Sequence, residues 1–195
     1  MTLVLINEGL FMAATESNML PLGSKASDFT LVDTRNNQLV SLAQIKSPIA
    51  TVIMFLCNHC PYVKHIQTKT VELAETYQKK GIQFLAISSN DAEQYPADGP
   101  EKMREEAELF HYPFPYLYDE SQEVAKAYKA ACTPDFYIFD KDMLCVYRGC
   151  LDESTPGNNK PVTGSHLQNA LDNILAGKPV SANQKPSLGC NIKWK

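Results

Sequence analysis

The chain has 195 residues, of which 44% are hydrophobic and 21% charged, with a formal net charge of −4. That length allows one domain with a substantial core, and the balance is that of an ordinary soluble globular protein. Arg35, Arg104 and Arg148 are its arginines and the lysines are scattered, which excludes the basic stripe that nucleic acid requires.

Residues 1–18 read as a flexible N-terminal extension, with loose chain continuing to residue 22. Thr2–Met12 is partly apolar but has no basic n-region, and Glu8 interrupts it. It is a poor signal peptide and too short to span a membrane. Residues 1–11 are expected to be an extension ahead of a start at Met12. The core domain is placed at residues 19–180. Within it, DFTLVDTRNNQLVSL reads as two short strands around an Asn36–Asn37 turn. Ala50–Leu56 is uniformly apolar and suits a central strand covered on both faces. Pro61 then opens a helix, where its missing N–H costs nothing. Val63, Ile66, Thr70, Leu73, Ala74 and Tyr77 recur at helical spacing, and Gly81 fits just past the end. IQFLAIS is a second buried strand, completing a βαβ unit.

Pro100 opens another helix with Met103, Ala107 and Phe110 on one face, and FPYLY is a short strand. A third helix carries Val124, Ala125 and Tyr128. DFYIFD and LCVYRG flank KDM as a hairpin, and a Gly-, Pro- and Asn-rich loop crosses Gly149–Pro161. The last helix carries Leu167, Ala170, Leu171, Ile174 and Leu175, ended by Gly177 and Pro179. Residues 181–195 form a polar tail holding Cys190 and Trp194. The order predicts an α/β sandwich: a mixed central sheet, helices on both faces and an N-terminal β-hairpin.

The chemistry lies in C-N-H-C, Cys57 to Cys60, where the buried strand meets the helix. Helix N-terminal N–H groups favour a nearby anion, so the first thiol should ionise more readily. Only the thiolate attacks a disulfide or a peroxide. Cys57 is expected to be the exposed attacking thiol and Cys60 the resolving one. The other cysteines, Cys132, Cys145, Cys150 and Cys190, are expected as reduced thiols in a cytoplasm, because a chain of this length needs no disulfide staples.

Thr133–Pro134 stands directly before the DFYIF strand, where a proline marks a strand start or a special turn. CNHC after a buried strand with TP before a later one resembles the thioredoxin superfamily. The resemblance implies that Pro134 is cis, faces the C-x-x-C and holds the backbone on which substrates dock. PLGSKASDFTLVD resembles the redoxin branch, that of alkyl hydroperoxide reductase and thiol-specific antioxidant proteins. FLCNHCPYVKH, ACTPDFYIFD, KPVTGSHLQNALDNILAGKPV and PSLGCNIKWK are similar to a bacterial peroxiredoxin-like group of that fold. The likeness runs from about Met19 to the C-terminus. Peroxiredoxins carry P-x-x-x-[ST]-x-x-C at the peroxidatic cysteine. Counting back from Cys60 gives Cys57 and Ile53, and from Cys57 gives Met54 and Ala50, so neither frame supplies the hydroxyl and proline that shape a peroxide pocket.

Around this pair, His59 is either a solvated loop residue or an imidazolium that favours the Cys57 thiolate. Cys132 is either a third redox thiol or packing. Cys190, in a tail too polar to hold itself down, is either inert or a mobile partner for Cys57 or a second chain. Arg148 is a candidate for the family's arginine, or a surface residue. Cys145 and Cys150 read as structural, and His65, His111 and His166 as plain polar residues.

The catalytic set is therefore Cys57, Cys60, Thr133, Pro134, Cys132 and Cys190, with no cofactor and no metal. The expected activity is thiol–disulfide exchange in cell redox homeostasis. One alternative is a thiol-dependent, antioxidant peroxidase. Another is a zinc- or copper-binding protein using Cys57, Cys60, Cys132 and a nearby histidine. Expected partners are protein or small-molecule disulfides or peroxides and an external thiol reductant, with no nucleic acid and no membrane. The chain is expected to be a cytoplasmic monomer or homodimer.

Overall fold

The computed structural model describes residues 14–195; the expectations for residues 1–11 and for a start at Met12 lie outside them. In chain order the strands are β1 (Ala14–Glu16), β2 (Thr30–Asp33), β3 (Gln38–Ser41), β4 (Ala50–Phe55), β5 (Gln83–Ser88), β6 (Tyr116–Tyr118), β7 (Cys132–Thr133), β8 (Asp135–Asp140), β9 (Cys145–Gly149) and β10 (Leu188–Asn191). The helices are α1 (Leu42–Ile45), α2 (Pro61–Gln78), α3 (Pro100–Leu109), α4 (Glu123–Ala127) and α5 (Ser165–Leu175), with a 3-10 turn at Pro96–Asp98.

The long apolar runs become the sheet interior. β4 is buried at every position. It pairs in parallel with β5 and antiparallel with β8, inside a seven-stranded sheet of order β3-β2-β6-β5-β4-β8-β9. A strand sends successive side chains to opposite faces. Val52 and Met54 therefore join one core with Val63, Ile66 and Leu73 of α2, Met103 of α3 and Leu167 of α5. Ile53 and Phe55 join a second core with Leu42 of α1 and Ala125 of α4. Helices cover both faces of a mixed sheet, as the order of elements predicts. The N-terminal hairpin is β2–β3, turning through Asn37 at φ 59°, and β2 also pairs with β6, which joins the hairpin to the sheet.

α2 starts at Pro61 and buries Val63, Ile66, Thr70, Leu73, Ala74 and Tyr77. Gly81 follows at φ 85°, a conformation that favours glycine past a helix end. The β4–α2–β5 unit so formed carries the cysteine pair at its first junction.

Both chain ends depart from the sequence reading. Residues 14–16, inside the span read as a flexible extension, are strand β1. The C-terminal segment is no loose tail: β10 lies between β1 and β7 in a second, three-stranded sheet. Ser17 N–H donates to Ser187 O at 3.0 Å and Ile192 N–H to Ala131 O at 3.0 Å. Lys193 N–H donates to Asn90 Oδ1 at 2.8 Å. Hydrogen bonds hold the segment, and Cys190 and Ile192 reach the two cores, too short an apolar pattern to announce a strand.

Candidate active site

After β4 the chain turns through Cys57–Cys60 into α2, with Cys60 as the residue that caps the helix. One carboxylate shapes this turn. Asp98 Oδ1 accepts the backbone N–H groups of Asn58, at 2.8 Å, and His59, at 3.3 Å. Its Oδ2 accepts Asn90 Nδ2 at 2.8 Å and pairs with the His59 ring. Burial alone would raise the Asp98 carboxyl; hydrogen bonds from His59 and Asn90 outweigh it and hold the group below the usual carboxylate range. His59 also stacks on Tyr95, ring centroids 5.5 Å apart. Asn58 donates to Ala97 O at 2.8 Å and accepts from the Tyr116 hydroxyl at 3.0 Å.

The Thr133–Pro134 bond is cis, and its peptide meets both sulfurs. Cys57 Sγ lies 3.1 Å from Thr133 Oγ1 and Cys60 Sγ 3.2 Å from Thr133 O. A third sulfur joins them: Cys190 Sγ is 2.7 Å from Cys60 Sγ. All three are free thiols. None opens to solvent, with exposures of 1% for Cys57, 0% for Cys60 and 2% for Cys190. This corrects the expectation of an exposed Cys57. β10 lies over the site, and a cleft of about 360 Å³ beside Pro134, bounded by Tyr62, Ser187 and Leu188, stops short of the sulfurs.

The charge distribution also reverses the expectation. Cys60, which accepts from the Cys190 and Cys57 thiols and from the Val63 and Cys190 N–H groups, is held far below its ordinary value. Cys57 is raised, by its hydrogen bond to Cys60, by burial and by the charge of Asp98. The helix-capping position belongs to Cys60, not Cys57, so the helix N-terminus favours an anion there. Of the two readings of His59, the structure gives a ring paired with Asp98, and the charge that acts on Cys57 is that of Asp98.

The remaining candidates separate clearly. Cys132 is fully buried and its sulfur points to Ser187 O at 4.0 Å. Neighbouring strand residues face opposite ways, so placing Thr133 on the dithiol turns Cys132 away. Cys190 is fixed rather than mobile, and its partner is Cys60 rather than Cys57. Arg148 is spent on Leu20 O at 2.9 Å and Gln184 Oε1 at 2.7 Å, so it is not committed to the Cys57–Cys60–Cys190 cluster. Cys145 is buried on β9, and Cys150 sits 3.3 Å from His166 Nδ1. His65 holds Ser154 Oγ at 2.7 Å. Sequence reasoning missed Asp98; the Pro96–Pro100 segment that carries it shows only turn residues.

Metal-ligand geometry differs from the cysteine set considered above. Among the described residues the cluster that gathers is Cys57, His59 and Asp98, with ligand atoms within 4.8 Å of one another. Both Asp98 oxygens are already taken by hydrogen-bond donors, so the cluster reads as a polar network holding the turn.

Two side-chain predictions arise here. A Cβ at residue 189 would lie 2.0 Å from Thr133 O, so Gly189→Ala is expected to lift β10. The measurement is iodoacetamide labelling of Cys190 in the reduced protein, which should become markedly faster than in the parent. Burial pushes Asp135, the residue after Pro134, up to about 7. The folded chain then keeps a proton that the unfolded chain loses near pH ~4. This group's stabilisation is complete below that pH and is lost as pH rises through about 7. Asp135→Asn should flatten the decline in thermal midpoint across that window.

A dithiol at a strand–helix junction, facing a cis-prolyl peptide within an α/β sandwich, defines a thiol protein of the thioredoxin fold. The chain belongs to the AhpC/TSA family, whose model matches residues 22–148. It is similar to an uncharacterized conserved protein from Geobacillus kaustophilus, 61% identical, with a TM-score of 0.94 over 95% of this chain and 98% of that one. A hypothetical protein from Sinorhizobium meliloti 1021 is 45% identical, with a TM-score of 0.90 over 93% and 98% of the two chains. The thiol-disulfide oxidoreductase ResA of Geobacillus kaustophilus is 28% identical over 133 residues, 66% of this chain and 68% of that protein. Thioredoxin-family and disulfide-oxidoreductase structures at 13–23% identity have TM-scores of 0.55–0.61, a likeness that shows the fold alone. No described helix is long and apolar enough to cross a membrane.

Proposed function

We propose that this protein is a thiol–disulfide oxidoreductase in which Cys57 attacks a substrate disulfide and Cys60 resolves the product. The observation that carries the reading is the contact of both sulfurs with one cis-prolyl peptide, Cys57 at Thr133 Oγ1 and Cys60 at Thr133 O. In the covered state Cys60 is the more acidic thiol of the pair, and the Cys57 thiol is its neighbour. Cys57 gives its proton to solvent as its Sγ bonds to one substrate sulfur, and the other substrate sulfur leaves and takes up a proton. Cys60 then attacks Cys57 Sγ. The mixed disulfide breaks, the second substrate sulfur departs and takes up a proton, and the protein holds a Cys57–Cys60 disulfide. An external thiol reductant returns it to the dithiol.

A disulfide is favoured over a peroxide as the oxidant. Among the described residues Thr133 Oγ1 is the one hydroxyl placed at Cys57, and a cation at the attacking sulfur would assist peroxide cleavage, but no arginine supplies it. Arg148 is committed to Leu20 and Gln184, Arg35 to Asp33 and Tyr112, and Arg104 to Glu101. The test is stopped-flow oxidation of the reduced protein by hydrogen peroxide and by a model disulfide. A faster disulfide reaction supports the proposal, and a faster peroxide reaction overturns it.

A further inference from the structure

We propose that Cys190 is a third redox residue, carried by β10 on the edge where a substrate strand would pair, and that it takes over the disulfide from Cys57 by bonding to Cys60. The proposal rests on the exchange reading above and extends it to the fate of the Cys57–Cys60 bond.

Position is the first support. β10 runs antiparallel to β7 with Cys190 opposite Thr133 and Asn191 opposite Cys132. The residue beside Pro134 thus spends its strand edge on the protein's own C-terminal segment. An unpaired edge is a template for another chain, and here an internal strand fills it. Fit is the second support. The residue before Cys190 is Gly189, whose absent Cβ would come 2.0 Å from Thr133 O and 2.6 Å from Thr133 C. That omission lets the strand lie against the cis-prolyl peptide and brings Cys190 Sγ to 2.7 Å from Cys60 Sγ. Anchorage is the third. Ser187 N–H donates to Ser17 Oγ at 3.0 Å before the strand, and Asp91 N–H donates to Lys193 O at 2.8 Å after it. Cys190 is therefore held from both sides against one sulfur of the pair, as a buried filler would not need to be.

The step is an internal exchange. The Cys190 thiol gives up its proton and its sulfur attacks Cys60 Sγ of the Cys57–Cys60 disulfide. The Cys60–Cys190 bond forms, the Cys57–Cys60 bond breaks, and Cys57 leaves with the bonding pair and takes up a proton. One disulfide is present before and after, so no oxidant or reductant is consumed. Thr133 Oγ1, 3.1 Å from Cys57 Sγ, is placed to donate to the departing sulfur. Cys57 is returned as a thiol while the C-terminal strand becomes covalently tied to the head of α2.

The test uses the full chain, reduced and then treated with one equivalent of oxidised glutathione. Samples are acid-quenched over time, alkylated, digested without reduction and mapped by mass spectrometry. The expected record is an early Cys57–Cys60 linkage that gives way to Cys60–Cys190, with Cys57 alkylated. In Cys190→Ser the Cys57–Cys60 linkage should accumulate, and in Cys57→Ser formation of Cys60–Cys190 should be largely lost. Persistence of Cys57–Cys60 in the parent with Cys190 alkylated throughout overturns this inference and leaves the exchange reading standing. Formation of Cys60–Cys190 in Cys57→Ser at the parental rate also overturns it, because no transfer from Cys57 is then involved. Absence of any linkage among the three cysteines overturns the exchange reading itself.

Discussion

Cys57→Ser is expected to reduce turnover of a model disulfide by about a thousandfold or more, the scale on which loss of a covalent nucleophile acts. The serine hydroxyl does not ionise at neutral pH and cannot form the mixed disulfide. Cys60→Ser should lose multiple turnover to a similar degree, because it removes the sulfur that resolves the adduct. Cys145→Ser is the control. Cys145 sits on β9, where its thiol donates a hydrogen bond to Tyr147 O at 3.4 Å, and the change should leave the rate close to that of the parent. A coupled assay with a chromogenic disulfide measures all three.

Asp98→Ala should be the most damaging change outside the cysteines. Asp98 is fully buried, and its removal strands the N–H groups of Asn58 and His59, the Asn90 amide and the His59 ring. Leaving buried hydrogen-bond donors unsatisfied costs about 1–3 kcal/mol each, measurable by urea unfolding. The turn that sets Cys57 against Thr133 would also lose its frame, so exchange should weaken even where the protein stays folded. The pH dependence has a defined sign. The folded carboxyl lies below its usual range, so its stabilisation is full at neutral pH and is lost as pH falls below about 4. Asp98→Asn should remove that part of the acid sensitivity, whereas Asp135→Asn acts in the window above it.

What the sequence conveys and what it hides follow from the range of the interactions. The apolar run of β4, the Pro61 start and the helical stripe from Val63 to Tyr77 are local signals, and each appears where it is read. Thr133–Pro134 facing the cysteines is a long-range pairing, legible through resemblance to a family and not through spacing. β10 escaped because the apolar pattern of LGCN is too short to announce a strand; its place depends on backbone partners far away in the chain, at Ala14–Glu16 and Cys132–Thr133. Asp98 escaped for a similar reason. A carboxylate among prolines and a glycine reads as a turn, and only the fold shows that it receives the C-x-x-C backbone. The reversed ionisation of Cys57 and Cys60 depends on Cys190, so it was legible only once β10 was in place.

The order of attack is the centre of this account, and trapping tests it most directly. Cys60→Ser protein, mixed with a model disulfide and alkylated, is mapped by mass spectrometry for the residue that carries the substrate thiol. The account predicts the adduct on Cys57. An adduct on Cys190 alone, or no adduct while the parent protein still turns the substrate over, would contradict it.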